Sequence, residues 1–183
     1  MSDISIRVAE RADAAALSEL AADTFPLACP PSTTPDAIAA FIAEHFTVER
    51  LADWLEDADR TLLVAEEPGG RLVGYSMLIG GASGEPGDTD AAAAVSARPA
   101  IELSKFYTRA GAHGSGTVAG PLMTATIDAA GATAASTVWL GVNEENARAI
   151  RFYEKHGFGK VGRKSFRLGD RLEEDWVLEH PLA

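Results

Sequence analysis

Apolar and polar residues alternate over Ile4-Ser5-Ile6-Arg7-Val8, a period of two that predicts a first strand with one wet side. The period then changes. Leu17 and Leu20, three apart in an alanine-rich run, predict a helix over 9–24. Three prolines break the pattern over 25–32 and predict a loop. Thr34-Pro35-Asp36 has the form of a helix start: Thr34 can accept a bond from a first-turn N–H, and Pro35 has no N–H to leave unpaired. That helix runs to about Phe46 with Ile38, Phe41, Ile42 and His45 on one side. Thr47 caps another through Leu55, carrying Val48, Leu51, Trp54 and Leu55.

Residues 60–66 and 72–78 read as strands joined by a Pro68-Gly69-Gly70 turn, which makes an antiparallel hairpin. Residues 80–99 are small, polar and broken by glycine, and predict a flexible surface loop. Residues 100–108 alternate, with Ile101, Leu103 and Phe106 toward apolar surroundings. A glycine-rich loop over 109–116 precedes a helix over 118–130 with Leu122, Met123 and Ile127 inward, ended by Gly131.

The stretch 138–158 has the clearest pattern. Val138-Trp139-Leu140-Gly141-Val142 is a buried strand by its apolar run, and Asn143-Glu144-Glu145-Asn146 breaks it. A helix follows, apolar through Ala147, Ile150 and Tyr153 or through Ala149, Phe152 and Tyr153, with Arg148, Arg151, Glu154 and Lys155 wet. Gly157 stops it, since glycine takes a positive φ without steric cost, and Phe158 folds back as the hydrophobic contact of that stop. Strands over 158–161, 164–168 and 175–178, with a turn at Leu168-Gly169-Asp170, close the sheet. No repeat or linker divides the chain, so residues 1–183 read as one domain.

The text GVNEENARAIRFYEKHGF resembles the C-terminal block of the GNAT acetyltransferase superfamily, V-x-x-x-N-x-x-A-x-x-x-Y-x-x-x-G-F. Val142, Asn146, Ala149, Tyr153, Gly157 and Phe158 stand in its places. LLVAEEPGGRLVGYSML is similar to the central hairpin of the same superfamily. The resemblance covers almost the whole chain. It implies an α/β fold: a mixed, largely antiparallel six- to seven-stranded sheet with its central pair parallel and helices on both faces.

Composition adds bounds. At 46% hydrophobic and 23% charged, 183 residues suffice for a core and exclude wholesale disorder. The single cysteine, Cys29, excludes an intrachain disulfide and reads as inert, because no histidine stands in a cysteine-enzyme motif. No signal peptide or apolar span is visible, so a cytoplasmic protein is expected. The net charge of −11 argues against nucleic acid as a partner. It is lopsided: residues 1–100 carry 17 Asp and Glu against 6 Lys and Arg, a net of −11, whereas residues 101–183 carry 10 of each. This is either a solvated acidic surface or a field that attracts a cationic acceptor.

A strand, a glycine loop and a helix N-terminus make an anion site, because glycines let backbone N–H groups approach a phosphate. The loop His113-Gly114-Ser115-Gly116-Thr117-Val118 has that form, without the Lys-Ser/Thr of a P-loop. By the resemblance it matches Q/R-x-x-G-x-G/A, the pyrophosphate loop for acetyl-CoA. His113 and Val118 depart from that pattern, and a bulky Val118 would narrow the approach to phosphate. The resemblance further implies that Phe106 and Thr108 offer backbone groups to the pantetheine arm and that Asn146 contacts the cofactor. It makes Tyr153 the general acid for the leaving thiolate, and Glu102, eleven residues before His113, a candidate base; core tyrosine and exposed strand glutamate are the plainer readings. His113, His45 and His156 are poor bases, and no cluster has metal-ligand spacing. The implied function is acetyl transfer from acetyl-CoA to a primary amine of a small molecule or peptide, by direct attack in a ternary complex. A non-catalytic acyl-CoA-binding or sensing module is the alternative, a protein-interaction role a third, and a homodimer is compatible with each.

Overall fold

The computed structural model describes residues 4–80, 83–112, 117–168 and 170–183. The strands are β1 Ser5–Val8, β2 Arg60–Glu66, β3 Leu72–Ile79, β4 Ala100–Thr108, β5 Thr137–Asn143, β6 Gly159–Leu168 and β7 Arg171–Pro181. The helices are α1 Ala14–Thr24, α2 Pro35–His45, α3 Val48–Glu56, α4 Thr89–Ala94, α5 Ala119–Gly131 and α6 Ala147–Lys155. Among the described residues seven strands form one sheet in the order β1-β2-β3-β4-β5-β7-β6. β4 and β5 run parallel at its centre, and every other pairing is antiparallel. The expected mixed sheet with helices on both faces is therefore the fold.

The two faces have separate cores. On one, Leu17, Leu20 and Ala21 of α1, with Phe25, Phe46 and Leu51, pack on Leu62, Val64, Tyr75 and Met77. On the other, Met123 and Ala130 of α5 and Ile150 of α6 pack on Leu78, Ile101, Leu103, Val138, Leu140 and Leu178. A buried Ser76–Thr126 hydroxyl pair at 2.7 Å fixes α5 over β3, and both groups are thereby satisfied.

The caps follow the sequence signals. Thr34 and Thr47 accept from Ala37 N and Arg50 N, each at 3.2 Å. Gly157 has φ +87°, and Phe158 N–H bonds Tyr153 O at 3.1 Å while Gly157 N–H bonds Glu154 O at 3.1 Å, the two bonds of a Schellman stop.

Three expectations change. The predicted first helix opens with a 3-10 turn at Arg11–Asp13 before α1 begins. The supposed surface loop over 80–99 contains α4. Ala91 and Val95 are buried against Ala100, Trp139 and Val177, so four consecutive alanines make a small apolar face rather than filler. The two short strands expected over 158–161 and 164–168 are one strand, β6, because its register against β7 shifts between Lys160 and Gly162 without a break in pairing.

Candidate active site

β4 and β5 pair only over Ala100–Thr137, Ile101–Val138 and Glu102–Trp139. Beyond that point β4 runs on to Thr108 and β5 to Asn143 with no ladder between them. A parallel pair that splays leaves backbone N–H and C=O groups on the facing edges, which need partners. A cavity of about 400 Å³ opens there, and it reaches both faces of the sheet.

The α6 side of the cavity is lined by Asn146, Arg148, Ala149, Phe152 and Tyr153, with Ala119 at the start of α5. Phe106 packs its ring against Phe152 at 5.4 Å and edge-on against Tyr153 at 6.3 Å. This fixes the Tyr153 ring, and Phe158 holds it from the other side at 5.8 Å. Burial pushes the Tyr153 phenol above its ordinary value, and the neighbouring Tyr107 adds to this. Its proton therefore stays on at neutral pH. Asn146 is the N-cap of α6, its Oδ1 accepting from Ala149 N at 3.1 Å. That oxygen is used in starting the helix.

The opposite side is charged. Alternation alone would put Glu102 and Lys105 on different faces. The β3–β4 register shifts between Met77 and Leu78, with Lys105 and Leu103 as successive partners, so Ser104 is extra and both charged side chains face α3. The Lys105 ammonium lies over Phe46 at 5.6 Å and over Trp54 at 5.3 Å. Burial lowers it to about 8, against the pull of Glu102. Glu102 is raised by burial, while Lys164, Lys105 and Arg60 act to lower it. Lys164, Glu173 and Asp175 complete this wall. Asp175 is pushed up to about 6, first by burial, with Lys164 opposing and Glu173, Glu174 and Asp88 adding to it. Lys164 also pairs with Asp88 at 3.4 Å. Cys29 lines the cavity as a protonated thiol, raised by burial to about 11.

Of the residues expected from the sequence, Glu102, Phe106, Thr108, Asn146 and Tyr153 line this one cavity. His113, Gly114, Ser115 and Gly116 lie outside the described residues. Thr117 is exposed just before α5. Val118 is 4% exposed and packs with Ala65, Val73, Ile4 and Ile6. Its side chain fills the core beneath β2 and β3, so its bulk is spent there and not at the approach to phosphate, contrary to expectation. Val118, the residue before α5, makes no side-chain cap bond among the described residues.

Sequence reasoning missed Lys105, Tyr107, Lys164, Glu173 and Asp175. For the last two a signal existed: they are in phase with the buried Val177 on a strand of period two.

The model of the acetyltransferase (GNAT) family matches residues 15–158. The chain belongs to that family. A relative from Mycobacterium tuberculosis, described as an uncharacterized N-acetyltransferase, is 43% identical over 171 residues, spanning 93% of this chain and 99% of the relative. Among solved structures, the PaiA N-acetyltransferase of Thermoplasma acidophilum in complex with coenzyme A is similar at a TM-score of 0.74 and 19% identity, covering 99% of each chain. A Salmonella typhimurium acetyltransferase structure, YncA with its cofactor acetyl-CoA, is similar at 0.70 and 20% identity, covering 100% of this chain and 95% of that one. This GNAT chain is accordingly an acyltransferase. Among its described residues no three metal-ligating side chains cluster and no helix is long and apolar enough to cross a membrane.

Proposed function

We propose that the protein transfers the acetyl group of acetyl-CoA to a primary amine by direct attack in a ternary complex. The observation that carries this reading is the single cavity through the splayed β4–β5 pair, with Tyr153 on one side and carboxylates on the other. Two separate approaches allow cofactor and acceptor to be bound together.

The cofactor takes the α6 side. Its pantetheine arm pairs with the unladdered edge of β4 near Phe106 and Thr108, and its pyrophosphate sits at the N-terminal end of α5. Coenzyme A and acetyl-CoA in the two similar structures support this choice of cofactor. The acceptor takes the side of Glu102, Lys105 and Asp175, where clustered carboxylates suit an ammonium group. A carboxylate on this wall takes the ammonium proton, and the resemblance makes Glu102 its first candidate. Tyr153, kept protonated by its burial, gives its proton to the departing thiolate.

The test is CoA affinity by calorimetry together with acetyl-CoA consumption over a panel of amines. Tyr153→Phe is expected to lower kcat about 100-fold, the usual size of a lost proton donor, with CoA affinity unchanged. Turnover equal to wild type would remove Tyr153 from the reaction. Tight CoA binding with no transfer to any amine would identify a binding module instead.

A further inference from the structure

Asp175 stands on the acceptor wall of the cavity and has no part in the family pattern that the sequence carries. It is 8% exposed, and among the described residues its Oδ1 accepts no hydrogen bond. Leaving a buried carboxylate oxygen without a donor is costly, unless a ligand brings the donor. β5 makes room for it. A Cβ on Gly141 would come within 3.3 Å of Asp175 Oδ2 and 3.1 Å of Lys164 Cδ, so the bare glycine lets both side chains lie over β5 beside the splay.

We propose that Asp175 is the general base of the transfer, taking a proton from the ammonium form of the acceptor inside the ternary complex. The inference rests on the acetyltransferase reading above.

The groups facing Asp175 differ from those facing Glu102. Lys164 from β6 is the cation that acts on Asp175, against Glu173 and Glu174 on its own strand and Asp88 from the segment before α4. Tyr107 of β4 is within electrostatic reach of Asp175 and also of Tyr153. Glu102 is also raised, first by burial, but Lys164, Lys105 and Arg60 all oppose that rise, with only Asp88 adding to it. Both carboxyls are raised by burial, but three cations oppose the rise at Glu102 and one at Asp175, where three anions add to it. Asp175, at about 6, is ionised at neutral pH yet close enough to accept a proton usefully. Asp175 and Tyr153 line the same cavity, as a base and acid acting on one tetrahedral centre require.

The step balances. An N–H bond of the ammonium breaks, its proton passes to the Asp175 carboxylate, and the freed lone pair forms the C–N bond at the thioester carbonyl. Collapse breaks the C–S bond with the electron pair on sulfur, and Tyr153 protonates the thiolate. The second surplus proton on the new amide nitrogen returns to the Tyr153 phenolate, and Asp175 loses its proton to solvent. One proton leaves per turnover.

The test uses the full chain with acetyl-CoA and four probe acceptors: n-butylamine, 1,4-diaminobutane, benzylamine and a tetrapeptide with a free N-terminus. For wild type, kcat/KM is expected to rise through an apparent pKa of about 6 and then stay flat over the next two pH units. Asp175→Asn is expected to lose about 100-fold at neutral pH, with CoA affinity intact. Its remaining kcat/KM should climb about tenfold per pH unit, because only the neutral amine then reacts. Glu102→Gln should keep the wild-type limb. A second readout needs no acceptor. The carboxyl resonance of Asp175 in CoA-loaded protein, assigned by its loss in Asp175→Asn, should titrate near 6; a midpoint at the ordinary value of about 3.9 overturns the inference. So does an Asp175→Asn enzyme with the wild-type profile, or a limb that vanishes in Glu102→Gln instead; transfer itself would survive either result. Wild type that consumes no acetyl-CoA with any probe defeats the acetyltransferase reading and this inference together.

Discussion

A residue tuned for chemistry is often a burden on stability, and Asp175 is placed where that burden can be measured. Its folded proton affinity, about 6, lies above the ordinary aspartate value. Between the unfolded and folded values the native chain holds the proton more readily than the unfolded chain. Stability therefore falls as pH rises through that window and stays lowered above it. Asp175→Asn removes the buried charge and should raise stability by about 1–3 kcal/mol at neutral pH, with no gain at about pH 4. Urea denaturation at both pH values checks this, and equal effects at the two would exclude ionisation as the cause. At this scale the sequence was only partly legible. Tyr153 and Asn146 could be located because the block 142–158 resembles a family pattern that marks their places; helix periodicity alone reads Tyr153 as core. Glu173 and Asp175 were passed over although they are in phase with Val177, because Glu-Glu-Asp reads as a wet strand end; they are buried beside the cavity, whose lining includes Pro30 and Cys29 from elsewhere in the chain. The Glu102–Lys105 pair depends on a register shift that no alternation rule reveals.

At the scale of elements, boundaries were read well wherever a cap or turn residue fixed them: Thr34, Thr47, Gly157 and the Gly69-Gly70 turn. α4 was not, since alanines between glycines and prolines carry too little periodicity to outweigh a loop composition. Its position matters because Asp88 both caps it, accepting from Ala91 N at 2.9 Å, and holds Lys164 at 3.4 Å. α4 meets β6 at Gly162, where an added Cβ would fall 2.4 Å from Ala94 Cβ. That contact is too short for any side chain, and helix and strand would have to part. Gly162→Ala should destabilise by about 1–3 kcal/mol, the usual cost of overpacking. It should also disturb the Lys164 environment and weaken acceptor KM more than acetyl-CoA KM. Adding Ala94→Gly should recover part of the stability, less about 1 kcal/mol for a helical glycine. No recovery in the double variant would mean that the contact is not what limits the position.

At the scale of the whole molecule, charge and topology coincide. α1 to α4, which cover the acceptor face, all lie within residues 1–100, the segment with a net charge of −11; α5 and α6, on the cofactor side, lie in the neutral remainder. On the proposed reading, an anionic cofactor and an ammonium acceptor would meet different fields on the two faces of one sheet. Fields of this kind act over about a Debye length, roughly 10 Å at 0.1 M salt, and are lost as salt rises. With acetyl-CoA saturating, raising salt from about 0.02 M to about 0.3 M should increase KM severalfold for n-butylamine and more steeply for the doubly charged 1,4-diaminobutane, while kcat holds. The comparison of the two amines carries the argument, because a general salt effect on stability or on cofactor binding would move both alike. Equal salt slopes for the singly and doubly charged amines would make the acidity of residues 1–100 a solvating surface with no role in capture. A steeper slope for the dication would make the carboxylates of residues 1–100 the means by which the acceptor face selects its substrate.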